Sequence, residues 1–156
     1  METTEISINL RAATLEDAEA LATLSDQLGY PATPAQVAHR LGLLRERQGN
    51  AVFVAETPDE RVAGWVHVHG SYSLASDPNA QVAGLVVDEH LRGQGIGRAL
   101  LDRAERWAET QGYDELRLHS NVVREGSHAF YARQGYERVK ASYLFRKPLL
   151  FDFGGL

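Results

Sequence analysis

The sequence has no cysteine, which excludes disulfides, thiolate metal sites and cysteine nucleophiles. It is also short of cations: 16 Lys and Arg face 21 Asp and Glu, a formal net charge of −5. Nucleic-acid binding needs clustered cations against phosphate, so this balance argues against it. No apolar run approaches the roughly 20 residues that span a bilayer. The acidic, polar start Met1-Glu2-Thr3-Thr4-Glu5 is unlike a secretory leader. The expectation is a cytoplasmic protein with no nucleic-acid and no membrane partner.

What is present suits an ordinary globular chain. The 156 residues, 44% of them hydrophobic, suit one domain over 1–156. A chain of this size removes roughly 68–70% of its unfolded surface from water and needs no staple.

Alternation in Ile6-Ser7-Ile8-Asn9-Leu10 predicts a strand. Thr14 is an expected helix N-cap; Leu15, Ala18, Leu21, Ala22 and Leu28 follow at helical spacing, and Gly29 stops them. Thr33-Pro34-Ala35-Gln36 is a capping box that opens a second helix, expected to run to Gly49-Asn50. Ala51–Glu56 and Val62–His69 form a predicted hairpin across the turn Pro58-Asp59-Glu60. After a polar loop from Ser71 to Asn79, Val82–Val87 is apolar on both faces, as in a central strand. Its Gly84 suggests a bulge or a close backbone approach. Ile96, Leu100, Leu101, Ala104, Trp107 and Ala108 stripe the next helix, closed by Gly112. A strand Glu115–His119, a short helix Ser127–Arg133 ended by Gly135, and a last strand Tyr136–Arg146 complete the order βααβββαβαβ. The fold class is α/β, with a mixed sheet and helices on both faces.

The chemistry concentrates in Arg92-Gly93-Gln94-Gly95-Ile96-Gly97-Arg98, between the central strand and the striped helix. Alternate glycines let the backbone turn tightly and approach a ligand. The turn runs into a helix N-terminus, whose free N–H groups and dipole favour an anion such as pyrophosphate. Arg92 and Arg98 add positive charge. The turn lacks the Gly-Lys-Ser/Thr of a P-loop and the spacing of the dinucleotide fingerprint.

Leu85-Val86-Val87-Asp88, the Arg92–Gly97 turn and Ala129-Phe130-Tyr131-Ala132-Arg133-Gln134-Gly135-Tyr136 together resemble the GCN5-related N-acetyltransferase (GNAT) family across nearly the whole chain. The resemblance implies that acetyl-CoA is the acyl donor. Its pyrophosphate would lie on the amides of Gln94, Gly95, Ile96, Gly97 and Arg98, and its pantetheine arm along Leu85, Val86 and Val87. A backbone N–H there would face the thioester oxygen. Tyr131 would face the CoA sulfur, where a phenol can protonate a departing thiolate. Asn121 would touch the pantetheine arm, or equally shape a turn. A second asparagine expected three residues later is replaced by Arg124, which puts contacts near the adenosine in doubt.

Several residues compete as general base: Glu56, His67, His69 and His119, while Gln81 stands where an acid is expected. His119 and Glu56 are taken as catalytic candidates beside Tyr131. His67 and His69 share a strand face with Trp65; three histidines can hold a metal, but strand histidines more often line a pocket, and no metal is expected.

The resemblance implies that the acceptor is bordered by the loop with Gln27, Leu28, Tyr30 and Pro31 and by the loop with Ser71, Tyr72 and Asp77, with Tyr143 and Phe145 from the expected last strand. Tyr30, Tyr72 and His67 are the candidate substrate-binding residues. The implied acceptor is a small-molecule primary amine, attacked directly in a ternary complex. The segment from Ser120 to Tyr136 resembles the aminoglycoside 6′-N-acetyltransferase branch. Protein N-termini or lysines, and a non-catalytic acyl-CoA sensor, are the alternatives. The apolar tail from Pro148 to Leu156 is compatible with a homodimer.

Overall fold

The computed structural model describes residues 7–120 and 125–149. The chain divides into two compact units, Met1–His119 and Ser120–Leu156. The first contains strands β1 (Asn9–Ala12), β2 (Asn50–Glu56), β3 (Val62–Ser71), β4 (Asn79–Val87) and β5 (Leu116–Leu118), with helices α1 (Ala18–Leu28), α2 (Pro34–Arg45) and α3 (Ile96–Thr110). The second contains α4 (Glu125–Arg133).

The five strands form one sheet in the order β1-β2-β3-β4-β5. The first four are an antiparallel meander, and β5 joins β4 in parallel after the α3 crossover. Helices cover both faces, as the sequence predicts. A side chain at Gly64 would meet Leu100 of α3, so this face of β3 points at α3. Trp65, on the opposite face, packs against a core cluster made of Ala13, Leu21 of α1, Leu41 of α2 and Val54 of β2. Val66, Val68, Leu100 and Leu101 are fully buried on the α3 side; truncating one such leucine to alanine costs about 2–5 kcal/mol.

The local signals fold as read. Thr33 accepts from the Gln36 amide at 3.1 Å, and the Gln36 side chain accepts from the Thr33 amide at 2.9 Å. The Thr14 amide donates to Asp17 at 2.8 Å, closing a short 3-10 turn, Leu15–Asp17, ahead of α1.

Several boundaries differ from expectation. The first strand is Asn9–Ala12, running past the expected end at Leu10, because its ladder is set by Phe53–Glu56 of β2; Ser7 and Ile8 carry no strand, and Ile6 lies outside the described residues. Arg11 is tolerated there because its guanidinium is paired. Helix α2 stops at Arg45 rather than near Gly49: Glu46, Arg47 and Gln48 offer no apolar side chain to hold another turn. The β3–β4 hairpin is longer than read, with pairing out to Ser71↔Asn79. The expected last strand, 136–146, is absent: residues 136–149 carry no strand. Alternation gives a side-chain pattern, but a strand also needs a backbone partner. Val139, Tyr143, Leu144 and Phe145 there are 87–94% exposed.

Candidate active site

The site starts from a defect in the sheet. β3 and β4 pair regularly from Gly64↔Val87 to His67↔Gly84, then the register jumps to Val68↔Val82. Ala83 is therefore the extra residue of a bulge, and it is exposed. Gly84 also serves close approach: a Cβ there would lie 2.7 Å from the Trp65 ring. The bulge thus lies beside Gly84, and what comes close to Gly84 is an indole side chain rather than a backbone.

The bulge also marks where β4 loses its second partner. β5 pairs only with Ala80, Gln81 and Val82. The Asp88 amide donates to Ala63 of β3 at 2.8 Å, so by alternation the N–H and C=O of Leu85 and Val87 point to the other edge. Among the described residues nothing pairs with that edge. A strip of free backbone groups thus begins at the bulge and runs to the end of β4.

The strip leads into the glycine turn. Gly93 and Gly95 sit at φ 80° and 83°, the left-handed region that disfavours other residues. Gly95 is the N-cap of α3 and offers no side-chain cap. The first intrahelical bond is Ala99 N–H to Gly95 C=O at 3.1 Å, which leaves the amides of Ile96, Gly97 and Arg98 without helical acceptors. Ile96 is buried and anchors the turn, while Arg92 and Arg98 are exposed at its rim. Gln27 of α1 accepts from the Glu89 amide at 2.8 Å, tying the turn after β4 to α1. The sequence reading placed Gln27 near a substrate loop and missed this role.

On the other face of the sheet, His67 lies opposite Gly84, and Nε2 of its ring is 3.1 Å from Asn50 Oδ1. That oxygen only accepts, so Nε2 carries the hydrogen and Nδ1 the lone pair. Burial pushes His67 down to about 4, with the neighbouring His69 adding to the effect. His69 Nδ1 donates to its neighbour Gly70 C=O at 2.9 Å. The two rings are 5.7 Å apart. His119 follows β5 directly and is exposed. Among the described residues no three His, Asp or Glu side chains converge on a metal geometry.

Glu56 is elsewhere. It sits on β2, two strands from β4, and accepts from Arg11 at 3.0 and 3.1 Å. Arg11 also grips both oxygens of buried Asp17, at 2.8 and 2.9 Å. That grip holds Asp17 below the usual carboxylate range. Tyr30 and Tyr72 are exposed, and the Tyr72 hydroxyl is 3.1 Å from that of Tyr113. Tyr131 stands in α4 of the second unit, its ring 5.3 Å from Phe130 and 6.2 Å from Tyr136. Asn121 and Arg124 lie outside the described residues.

Comparison with known proteins decides the family. The sequence model of the acetyltransferase (GNAT) family matches residues 16–136. The chain belongs to the acetyltransferase (GNAT) family. This GNAT chain is 31% identical over 145 residues to an aminoglycoside N(6′)-acetyltransferase type 1 of Stenotrophomonas maltophilia, covering 90% of this chain and 93% of that one. It is 30% identical over 146 residues to an aminoalkylphosphonate N-acetyltransferase of Salmonella typhimurium, covering 90% of each. Its fold superposes on the aminoglycoside N-acetyltransferase AAC(6′)-Iy in complex with CoA with a TM-score of 0.81, at 17% identity, over 96% of this chain and all of that one. The chain is accordingly a GNAT N-acetyltransferase, a family whose donor is acetyl-CoA. The glycine turn suits that donor: at Gly93 even an added Cβ would find open space.

Proposed function

We propose that residues 1–156 act as one N-acetyltransferase domain that moves an acetyl group from acetyl-CoA to the primary amine of a small molecule. Acetyl-CoA supplies the activated acetyl thioester. The observation that carries the reading is the free backbone edge of β4 leading into the uncapped amides of α3. The amides of Gln94 to Arg98 hold the pyrophosphate, with Arg92 and Arg98 adding charge. The N–H and C=O groups of Leu85 and Val87 pair with the amide-bearing arm as a strand would, while Val86 keeps its side chain buried. Asn121 is assigned to the same arm.

Direct attack in a ternary complex fits a chain with no cysteine to carry the acyl group. Tyr131 holds or delivers the proton that the departing thiolate takes up. His119, at the mouth of the open β4 edge, is assigned the proton of the incoming amine. Arg11 already engages Glu56, so Glu56 enters the reading only as a structural partner. His67 is neutral and presents an acceptor atom rather than a charge. Tyr30 and Tyr72 border the acceptor. The aminoglycoside and aminoalkylphosphonate enzymes named above, both acting on small amines, support the substrate class. The proposal includes a homodimer, because the segment 136–149 exposes Val139, Tyr143, Leu144, Phe145 and Leu149; light scattering at micromolar concentration tests it, and a monomer would refute it.

The central test is calorimetry with CoA followed by thiol release from acetyl-CoA against a panel of small amines and peptides. CoA binding with release for a small amine is the expected result. Absence of CoA binding at about millimolar concentration overturns the reading.

A further inference from the structure

A second cleft, of about 470 Å³, opens at the far end of the sheet. Its lining includes Gln48, Asn50, His69, Tyr72, Gln111 and Tyr113, and among the described residues it holds no Lys, Arg, Asp or Glu. It lies beside the C-terminal end of α3, about 22 Å by helix rise from the glycine turn. It also lies along β3 from the bulge. His67 stands opposite Gly84, and His69, two residues or about 7 Å further on, lines the cleft.

The hydrogen-bonding state of the lining follows from its internal partners. Asn50 spends its carbonyl oxygen on His67, leaving its amide hydrogens to donate. His69 spends Nδ1–H on Gly70, leaving Nε2 to accept. The Tyr72 and Tyr113 hydroxyls share one hydrogen bond, so one hydrogen is left to donate outward. Gln48 and Gln111 each offer a donor and an acceptor. Tyr113 is held in place by Trp107, stacked at 6.2 Å and 27°, and by bare Gly70, where any side chain would strike its hydroxyl.

Alternating donors and acceptors, two phenol rings and no formal charge match neither an anion nor a polycation. They match hydroxyl groups, which donate and accept at one atom. We infer that this cleft is a specificity subsite that binds a neutral, hydroxyl-bearing part of the acceptor, carried beyond the amine that is acetylated. The inference rests on the small-amine reading above and names the chemistry of that acceptor.

The test uses the full chain and two probes: methyl 6-amino-6-deoxy-glucopyranoside and cyclohexylmethylamine. Both place a primary aminomethyl group on a six-membered ring, and only the first carries hydroxyls. Dissociation constants come from ligand-observed NMR. The glycoside is expected to bind about tenfold tighter or better. Asn50→Ala and Tyr72→Phe are each expected to cut that preference about threefold or more. The preference is a ratio within each protein, so a loosened fold weakens both probes together. Equal or absent binding, or a preference untouched by both variants, overturns the subsite. Thiol release, measured in parallel, separates the two claims. Preference for the glycoside with no acetylation of any amine in the panel overturns the small-amine reading, and with it the acceptor role of the cleft. Acetylation of small amines without preference overturns the subsite alone.

Discussion

His67 offers a measurement in which the structure sets both sign and size. Its imidazole is half-buried beside Asn50 and His69, and that partial burial holds it down to about 4 against an ordinary value of 6.5. The depressed group takes up a proton more readily in the unfolded chain. It therefore contributes stability that is fully present above 6.5 and is lost as pH falls from 6.5 towards 4. Integrated from about pH 7.5 to about pH 5, the loss is about 2 kcal/mol, most of the roughly 3 kcal/mol that the whole interval carries at 1.36 kcal/mol per pH unit. Carboxylates also titrate as pH falls, so wild type alone cannot isolate the effect. His67→Gln keeps an amide that can donate to Asn50 and removes the titrating ring. Urea unfolding of both proteins at the two pH values gives a difference of differences. Wild type should lose about 2 kcal/mol more than the variant on acidification. A differential under about 0.5 kcal/mol would mean that the ring is freely solvated, and the neutral-acceptor role given to it would fall too.

Three further outcomes are expected. Gly95→Ala forces a side chain into the left-handed region at the α3 N-cap, at roughly 1–2 kcal/mol, and should raise the calorimetric Kd for CoA about tenfold; an unchanged Kd would remove the turn from donor binding. Tyr131→Phe should slow steady-state acetylation about a hundredfold while CoA affinity stays within a few fold, and a near-normal rate would exclude the phenol as proton donor. Arg11→Ala leaves buried Asp17 and Glu56 without their shared partner and should cost about 1–3 kcal/mol in urea unfolding near neutral pH. Asp17 is held low in the native chain, so wild type should lose stability as acid protonates it; the variant should show a shallower acid limb.

The parts of this fold that were legible in the sequence are those fixed by contacts a few residues long. The Thr33–Gln36 box closes over three residues, and the helical stripe from Ile96 to Ala108 repeats within each turn. The alternate glycines before α3 are of the same kind, since left-handed backbone is a property of single residues. Boundaries set by a distant partner were not legible. β1 was displaced because β2 sets its ladder, and the alternation in 136–146 gave a pattern without a mate. Gly84 is intermediate: sequence shows that something needs the missing side chain, and only the sheet shows that it is Trp65.

The same division separates the two substrates. On the proposed reading the donor is met by backbone: amides at the start of α3 and the unpaired edge of β4. Such a site needs only a glycine pattern and a strand, and both leave local marks. The proposed acceptor cleft is instead made of side chains brought together across long separations. Asn50 reaches His67 over 17 residues, and Tyr72 reaches Tyr113 over 41. No spacing rule predicts such pairs, and Asn50 by itself reads only as the end of a helix. Backbone recognition tolerates drift in sequence because it asks little of side chains. The acceptor cleft can change chemistry through Asn50, Tyr72 or Gln111 without disturbing the turn that holds the donor. On the proposed reading, substrate choice is therefore carried by residues whose importance appears only once the sheet is assembled.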